Sequence, residues 1–295
     1  MLAAIEADGA APFVSVVTVS LNSASTIAAT LASVALQDAE FGIEHVCVDG
    51  GSRDGTREII DRWAERSGGV RRIFEADSGI FDAMNKGLRA ARGEYVLYLN
   101  ADDFLLARDT LRRAMQGLAP GSAGNPGIIA GNVRMGQGGD GPGLWRHRRV
   151  PRLLARRRGT GFFPLHQGML AQRTLLEAVG GFDATLRLAA DVNQFYDIER
   201  IHRPSVRLLG FDVAFMLAGG AANAGFGAMV RGSMEIYRHL RRSHGALRSA
   251  AMLAAKTFQS VSEVRYGRAR GWRWMSDPSI VSPPGEEEVS LDRAV

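Results

Sequence analysis

The stretch Gly93-Glu-Tyr-Val-Leu-Tyr-Leu-Asn-Ala-Asp-Asp103 places a short apolar run directly before two adjacent carboxylates. Val96 to Leu99 is continuously apolar, which is typical of a strand buried on both faces of a sheet. In open α/β sheets, ligands bind in the crevice outside the carboxyl ends of the strands. Two carboxylates are costly there unless a positive group joins them, and their hard oxygens suit Mg²⁺ or Mn²⁺. The alternative is that Asp102 or Asp103 only caps a helix that begins near Arg108.

Composition limits the class of protein. The 295 residues carry a net charge of +5 and 46% hydrophobic side chains, which suits a globular chain of one large or two modest domains. No apolar run reaches the length that crosses a bilayer, and the N-terminus lacks the pattern of a signal peptide. Cys47 is the single cysteine, so we expect no internal disulfide and a reducing, cytoplasmic location.

Apolar and amphipathic stretches alternate along the chain. In the first half, β-branched runs predict strands, and amphipathic runs between them predict helices. The predicted strands are at 13–20, 44–48 and 70–75. One predicted helix ends near 37, and the others span 56–66 and 80–92. Strand–helix repeats at this spacing predict parallel strands with crossover helices, so the strands end at one edge. The second half predicts strands at 127–134, 166–172 and 206–217, and helices at 173–179, 191–201, 227–243 and 246–266.

Polar clusters follow the predicted strands of the first half. The segment Asp49-Gly-Gly-Ser-Arg-Asp-Gly-Thr56 puts a carboxylate at a strand end, two glycines where a ligand can approach, and hydroxyls at a helix start. Asp49 can accept hydrogen bonds from a base or ribose, although the same residue types also form caps and tight turns. Asp82, Asn85 and Lys86 share one helix face because they are three and four residues apart. We expect Lys86 either to neutralise a diphosphate or to form a surface pair with Asp82.

Four segments together resemble the inverting family 2 glycosyltransferases, which use nucleotide-diphosphate sugars. The matching segments are residues 16–22, 49–56, 75–87 and 93–103, and the resemblance extends over about residues 13–220. It implies the GT-A fold, an α/β architecture with a mostly parallel, Rossmann-like sheet flanked by helices. It also implies that Asp103 ligates the metal cofactor, Mn²⁺ or Mg²⁺. The residues that it implies for binding the nucleotide sugar are Thr18, Ser20, Asn22, Asp49, Ser52, Asp54, Asp77, Asp82, Asn85, Lys86, Asp102 and His166.

The second half is expected to hold the acceptor and the catalytic base. In the family, the base is an aspartate near a helix start, after a Gly-Phe-Asp segment, and here Gly181-Phe-Asp183 precedes Ala189-Ala-Asp191. The resemblance, to exopolysaccharide transferases of the colanic-acid type, identifies Asp191 as the base that deprotonates the acceptor hydroxyl. The alternatives are that Asp191 is an N-cap and that His166 is a satisfied core histidine rather than a contact to diphosphate or metal. Asp183 is interpreted as a turn residue.

The resemblance implies metal-dependent, inverting transfer of a single sugar from a UDP- or GDP-linked donor to a hydroxyl of a saccharide or lipid-linked saccharide. The chain has neither the Gln-X-X-Arg-Trp motif nor the transmembrane helices of processive synthases. One alternative, a sugar-1-phosphate nucleotidyltransferase, requires a Gly-rich loop with Arg and Lys after the first strand, which residues 21–27 lack. The other, a non-enzymatic nucleic-acid binder, fits the charge but not the acidic strand ends.

The predicted domain organisation has four parts. They are a flexible N-terminus (1–12), a GT-A domain (13–222) with a nucleotide-sugar half (13–105) and an acceptor half (106–222), a basic helical extension (223–275) and a disordered tail (276–295). Basic amphipathic helices with interleaved aromatic residues can lie on an anionic membrane surface. We therefore expect the extension either to contact the inner face of the cytoplasmic membrane or to pack on the catalytic domain.

Overall fold

A nine-stranded mixed sheet runs through the residues that the computed structural model describes, which are 11–67, 69–136, 144–148, 163–217 and 226–269. Its strands are β1 (Val14–Ser20), β2 (Ile43–Asp49), β3 (Val70–Phe74), β4 (Tyr95–Tyr98), β5 (Asp103–Leu105), β6 (Ile128–Gly136), β7 (Leu144–Arg148), β8 (Met169–Gln172) and β9 (Val206–Leu217). The helices are α1 (Ile27–Ala35), α2 (Thr56–Ser67), α3 (Ile80–Ala90), α4 (Thr110–Ala114), α5 (Arg173–Ala178), α6 (Ala190–Ile201), α7 (Phe226–His244) and α8 (Ala246–Ala269).

The first four strands are parallel, as the sequence predicts. β1 lies between β2 and β4, and β3 pairs with the outer edge of β2. Ser20 is in register with Asp49, and Asp49 with Phe74, so these strands end at the same level. β1 and β2 are buried along their whole length because helices cover both faces of the sheet.

The second half adds antiparallel strands to this parallel unit. β8 lies between β4 and β6 and is antiparallel to both, whereas β6 and β9 are parallel and β5 is antiparallel to β9. The predicted strand at 166–172 begins later than expected, because His166–Gly168 forms a 3₁₀ turn. The three-residue strand β5 was not predicted, since its pairing with β9 has no local pattern. The parallel arrangement is therefore concentrated in the first half.

Helix α3 packs unusually close to the sheet at Gly87. A Cβ atom built on Gly87 would lie 2.2 Å from Val17 Cγ1, so only a residue without a side chain fits there unless Val17 moves. Met84 and Leu88, on either side of this contact, are buried in the same core. The close approach of α3 to β1 places the beginning of the helix beside the strand ends.

The C-terminal helices pack on the sheet domain. Ile236 and Leu240 on α7 and Met252 on α8 are buried in the core cluster that also contains Phe195 of α6. No helix within the described ranges is long and apolar enough to cross a membrane. Residues 1–10 of the predicted flexible segment (1–12) and the predicted tail at 276–295 lie outside the described residues.

We predict that Gly87→Ala destabilises the fold, although alanine favours helices. The added methyl group would overlap Val17, and overpacking costs about 1–3 kcal/mol against the ~1 kcal/mol that Gly→Ala contributes in a helix. Urea unfolding should show a lower midpoint with an unchanged slope. The control is Gly232→Ala in α7, whose Cβ would lie 3.5 Å from Leu188, an ordinary contact. Equal stability of the two variants would contradict the prediction.

Candidate active site

Asp49 ends β2 and organises the loop that follows. Its carboxylate has no exposed surface and accepts hydrogen bonds from Ser20 Oγ at 3.0 Å, Ser52 N at 2.9 Å and Arg57 Nε at 2.8 Å. Burial alone would raise the pKa of Asp49, but the bonds from Arg57 and Ser52 outweigh it and hold the pKa below its ordinary value. Asp49 is therefore an ionised carboxylate whose hydrogen-bonding capacity is largely used by its own loop.

The loop after β1 is bonded to the loop after β2. Asn22, with φ of 50°, accepts a hydrogen bond from Arg53 N at 3.0 Å and donates from its own N to Ser52 Oγ at 2.7 Å. Asp54 accepts a bond from Ala24 N at 2.9 Å. These bonds join the two loops into one exposed wall above the ends of β1 and β2.

Thr18 lies below this wall, inside the sheet. It is fully buried, and its Oγ1 is 2.8 Å from His45 Nε2 on the neighbouring strand. Burial lowers the pKa of His45 to about 3, so the pair is neutral. The structure therefore brings Ser20 to the rim, where β1 ends, but leaves Thr18 in the interior.

Asp77 lies against the turn that follows Asp49. A Cβ built on Gly50 would be 2.1 Å from Asp77 Oδ2, and Asp77 Oδ1 accepts a bond from Gly79 N at 2.9 Å. Burial raises the pKa of Asp77, with the charge of Asp49 adding to the effect and the bond from Gly79 opposing it. The end of β3 thus contributes a second carboxylate to the same part of the rim.

Lys86 is a buried residue rather than part of a surface pair. Its side chain is 9% exposed, and its Nζ donates to Ala76 O and lies 3.0 Å from Glu75 Oε1. Asp82, the surface partner considered from the sequence, accepts bonds from Ser78 N at 2.9 Å and from Ser78 Oγ at 3.1 Å. Lys86 therefore holds the segment that carries Asp77, and Asp82 fixes the entrance to α3.

Asn85 joins the two halves of the molecule. Its Nδ2 donates to Phe182 O, and its Oδ1 accepts from Phe182 N, both at 2.8 Å. The ring of Phe182 packs edge-on against Tyr98, with centroids 4.9 Å apart, and lies 5.5 Å from the ring of Phe81. The segment that leads towards Asp191 is thereby fixed to the first half.

The acidic pair after β4 is buried unevenly. Asp103 begins β5 with no exposed surface, and its Oδ2 accepts a bond from Gln167 Nε2 at 3.0 Å. Its Oδ1 is buried with no hydrogen-bond partner among the described residues. Burial, with the neighbouring Asp102 adding to it, raises the pKa of Asp103 well above its ordinary value. Neither aspartate caps the next helix, because Asp109 occupies the N-cap of α4.

His166 lies between the acidic pair and the predicted base. Its Nδ1 is 3.4 Å from Asp191 Oδ2, and its Nε2 is buried without a partner in the part of the chain that the structure describes. Burial raises the pKa of Asp102, and His166 is close enough to oppose that shift. Ala189, not Asp191, is the N-cap of α6, so the N-cap interpretation of Asp191 is wrong. His166 is not a satisfied core histidine, since its Nε2 has no bond to any of the described residues.

These groups lie along one continuous edge. Gly50 N donates to Ser20 O at 2.9 Å and Ala101 N to Val19 O at 3.2 Å, so the ends of β2, β1 and β4 are adjacent at strand spacings of about 5 Å. The turn His166–Gly168 continues the edge from the acidic pair to the start of α6. The same rim therefore carries Asp49, the acidic pair and, through its contact with His166, Asp191, whereas Thr18 lies in the interior.

The acidic pair fits a hard divalent cation. Magnesium is usually held by one or two carboxylates together with substrate phosphates and waters. Asp102 and Asp103 supply two carboxylates, and the unbonded Oδ1 of Asp103 is a buried acceptor that a cation would satisfy. Over the described ranges, no group of three or more His, Cys, Asp or Glu side chains is arranged to hold a metal ion. An ion at this position would need further oxygens from a substrate.

Two side chains of the rim were not among the predicted site residues. Arg57 bonds to Asp49 and also lies over the ring of Phe74, 5.3 Å from its centroid. Arg57 lies in the first turn of the helix that follows the Asp49 loop, so its position in the sequence could have marked it as a site residue. Gln167, which bonds to Asp103, follows His166 directly.

Comparison with known proteins relates this chain to glycosyltransferases. The family described as glycosyl transferase family 2 matches residues 15–180. The PGL/p-HBAD biosynthesis glycosyltransferase of Mycobacterium tuberculosis is 32% identical over 188 residues, which are 62% of this chain and 68% of that protein. S. aureus TarS 1-349 in complex with UDP has a similar fold, with a TM-score of 0.55 at 20% identity, covering 88% of this chain and 73% of that one. The mannosyltransferase PcManGT from Pyrobaculum calidifontis, in complex with GDP-Man and Mn2+, also has a similar fold. Its TM-score is 0.57 at 22% identity, and the match covers 90% of this chain and 77% of that one.

We predict that the buried acidic pair makes the metal-free protein less stable as the pH rises. Because the folded-state pKa of Asp103 is raised, the folded protein keeps a proton that the unfolded chain releases above about pH 4. The stability that this retained proton adds to the folded state is fully present at low pH and is lost as the pH rises through the folded-state pKa of Asp103. The melting temperature of Asp103→Asn relative to wild type should therefore increase between about pH 5 and about pH 8 in a chelator.

Asp54→Asn is the control of opposite sign for this experiment. Hydrogen bonds from Thr56 Oγ1 and Ala24 N hold the pKa of Asp54 below its ordinary value, although burial opposes them. That contribution is fully present over the same pH range, so the variant should lose a similar amount of stability throughout. If the effect of Asp103→Asn is as independent of pH as this control, the prediction is wrong.

Proposed function

The chain belongs to glycosyl transferase family 2 and is a glycosyltransferase, and we propose that it transfers a single sugar, with inversion, from a UDP- or GDP-linked donor to a hydroxyl of a saccharide or lipid-linked saccharide. Family membership decides against the nucleotidyltransferase and nucleic-acid-binding alternatives. The observation that supports the proposal most strongly is the position of the turn His166–Gly168. It contacts Asp191 on one side and Asp103 on the other, so a base and a metal ligand can serve one reaction.

The nucleoside of the donor is proposed to bind beside Asp77. Asp77 is partly exposed, whereas Asp49 is consumed by its own loop and shapes the wall behind it. Ser20, Ser52 and the neighbouring loop residues Asn22 and Asp54 form that wall. UDP and UDP-GlcNAc are bound by TarS, and GDP-Man by PcManGT, which supports a donor of this class.

The diphosphate is proposed to lie over the acidic pair. Asp103, with Asp102 beside it, would hold Mn²⁺ or Mg²⁺, which when bound would offset the negative charge of the leaving nucleoside diphosphate. His166 Nε2 has no partner among the described residues and can donate to a diphosphate oxygen. Lys86 acts indirectly in this proposal, because its bonds to residues 75 and 76 order the segment that carries Asp77.

The transfer step is assigned to Asp191 as general base. The acceptor hydroxyl gives its proton to the Asp191 carboxylate while its oxygen bonds to the anomeric carbon. The bond from that carbon to the diphosphate oxygen breaks on the opposite face, and the electron pair leaves with the nucleoside diphosphate. Configuration is inverted, and no covalent enzyme intermediate forms.

Asp103→Asn and Asp191→Asn should separate these two roles. Both should lower transfer strongly, and loss of a general base alone costs about 10²–10⁴-fold. Only Asp103→Asn should lose the Mn²⁺-dependent stabilisation by UDP or GDP in thermal melts. Asp183→Asn is the control, because Asp183 is exposed and its side chain bonds to the nearby Thr185. Near-normal turnover of Asp191→Asn would refute the base assignment, and stabilisation by neither nucleotide would refute the donor class.

We also propose that the outer face of α7 contacts an anionic membrane, where a lipid-linked acceptor in exopolysaccharide assembly would be found. Val230 and Met234 are 38% and 52% exposed, one helical turn apart. Exposed basic side chains surround them, at Arg231, Arg238, Arg241 and Arg242. Ile236 and Leu240 bury the opposite face, so α7 packs on the domain and still presents a basic, partly apolar surface.

Vesicle sedimentation tests this surface. The protein should pellet with vesicles containing phosphatidylglycerol but not with pure phosphatidylcholine, and high salt should weaken the binding, since each basic residue contributes about 1 kcal/mol near an anionic surface. Arg238→Glu with Arg241→Glu should abolish pelleting. Arg62→Glu with Arg66→Glu on α2, an exposed pair elsewhere on the molecule, is the control. Absence of lipid-dependent pelleting, or equal loss in both double variants, would exclude the proposed contact.

A further inference from the structure

Glu235 of α7 binds the backbone at the point where the chain enters α6. Its carboxylate accepts hydrogen bonds from Arg187 N at 3.4 Å, Leu188 N at 3.1 Å and Ala189 N at 3.0 Å. Ala189 is the N-cap of α6, and it supplies no side-chain cap bond. Asp191 follows two residues later. A side chain of the C-terminal extension therefore holds the segment that leads directly to the proposed base.

The segment has few other fixed points. Phe182 is held by Asn85, and Asp183 forms a local turn with Thr185, but residues 183–187 are mostly exposed. Hydrogen bonds to an ionised carboxylate are about twice as strong as neutral ones. Leu186 and Ala189 pack on the core, and the three consecutive N–H groups that converge on Glu235 fix the backbone between them and the start of α6.

We propose that Glu235 is a positioning residue, which sets the place of the Asp191 carboxylate from the C-terminal helices without touching substrate. The inference rests on the proposed role of Asp191 as base. It makes α7 part of the catalytic unit, a role beyond packing and membrane contact. Since Glu235 lies in the same helix as the basic face formed by Arg238 and Arg241, one helix would connect the acceptor surface with the base.

A second contact between the same two helices provides the control. His239 Nε2 of α7 lies 3.1 Å from Asp197 Oδ2 of α6, almost two helical turns beyond Asp191. Removing His239 weakens the docking of α7 on α6 but leaves the bonds at 187–189 in place. If Glu235 only helped to dock α7 on α6, Glu235→Ala and His239→Ala should lower kcat by similar factors. If Glu235 positions Asp191, only Glu235→Ala should lower kcat.

The test compares steady-state kinetics of Glu235→Ala, Glu235→Gln, His239→Ala and Asp191→Asn in the full chain. Misplacing a catalytic group by about 1 Å costs on the order of 10²-fold, so Glu235→Ala should lower kcat about 10- to 100-fold. Its KM for the donor and its thermal shift with UDP or GDP plus Mn²⁺ should be unchanged, because the donor rim lies in the first half. Glu235→Gln keeps an acceptor oxygen and should restore most of kcat, and His239→Ala should retain it.

Hydrogen exchange gives a readout that does not depend on activity. The amides of Leu188 and Ala189 should be protected in wild type and His239→Ala and should exchange faster in Glu235→Ala. Wild-type kcat in Glu235→Ala, equal losses of kcat in Glu235→Ala and His239→Ala, or unchanged exchange at 188–189 would overturn the inference. If Asp191→Asn itself keeps turnover, the proposed base fails; if it abolishes turnover while Glu235→Ala does not, only the positioning role fails.

Discussion

The cost of burying carboxylates at the rim of the sheet is the constraint on which this site depends. An ionised carboxylate removed from water is unfavourable unless hydrogen bonds or an opposite charge compensate it. The buried charge of Asp49 is compensated within the protein, by the Arg57 guanidinium and by hydrogen bonds from its own loop. Asp103 Oδ2 accepts a hydrogen bond from Gln167, and Oδ1 is buried without a partner in the described part of the chain. The first aspartate therefore builds the site, and the second keeps an oxygen atom that a bound cation can satisfy.

Much of the fold could be predicted because strand and helix patterns alternate regularly in the first half. Parallel strands joined by crossover helices must end at one edge, so the positions of Asp49, Asp77 and the acidic pair followed from the order of elements alone. The helix start before Asp191 was also visible as a local pattern. In the second half, β5 was missed because three residues pair with a strand more than a hundred positions away, and sequence gives no local signal for that contact.

The roles of individual side chains were harder to predict, for physical reasons that differ between residues. Helical spacing suggested a Lys86–Asp82 pair, but a buried ammonium group bonds to whatever acceptors surround it, and these are Glu75 and Ala76. Thr18 has the residue type of a ligand contact, yet it lies in a buried part of β1, where its hydroxyl bonds to His45. The contact of Glu235 with residues 187–189 joins segments more than forty residues apart, so no local motif marks it.

The joint between the two halves has a consequence for recombining this protein with its relatives. Both hydrogen bonds of Asn85 go to backbone atoms of residue 182, so these two bonds do not depend on which side chain follows Gly181. Gly181 has a φ of 75°, and a Cβ there would lie 2.4 Å from Asn85 Oδ1, so the acceptor side must supply a glycine. An asparagine on one module and a glycine on the other are thus a transferable connector. Under the proposed division into a donor half and an acceptor half, exchanging one half at this joint should exchange its specificity while the alignment of the two halves is kept.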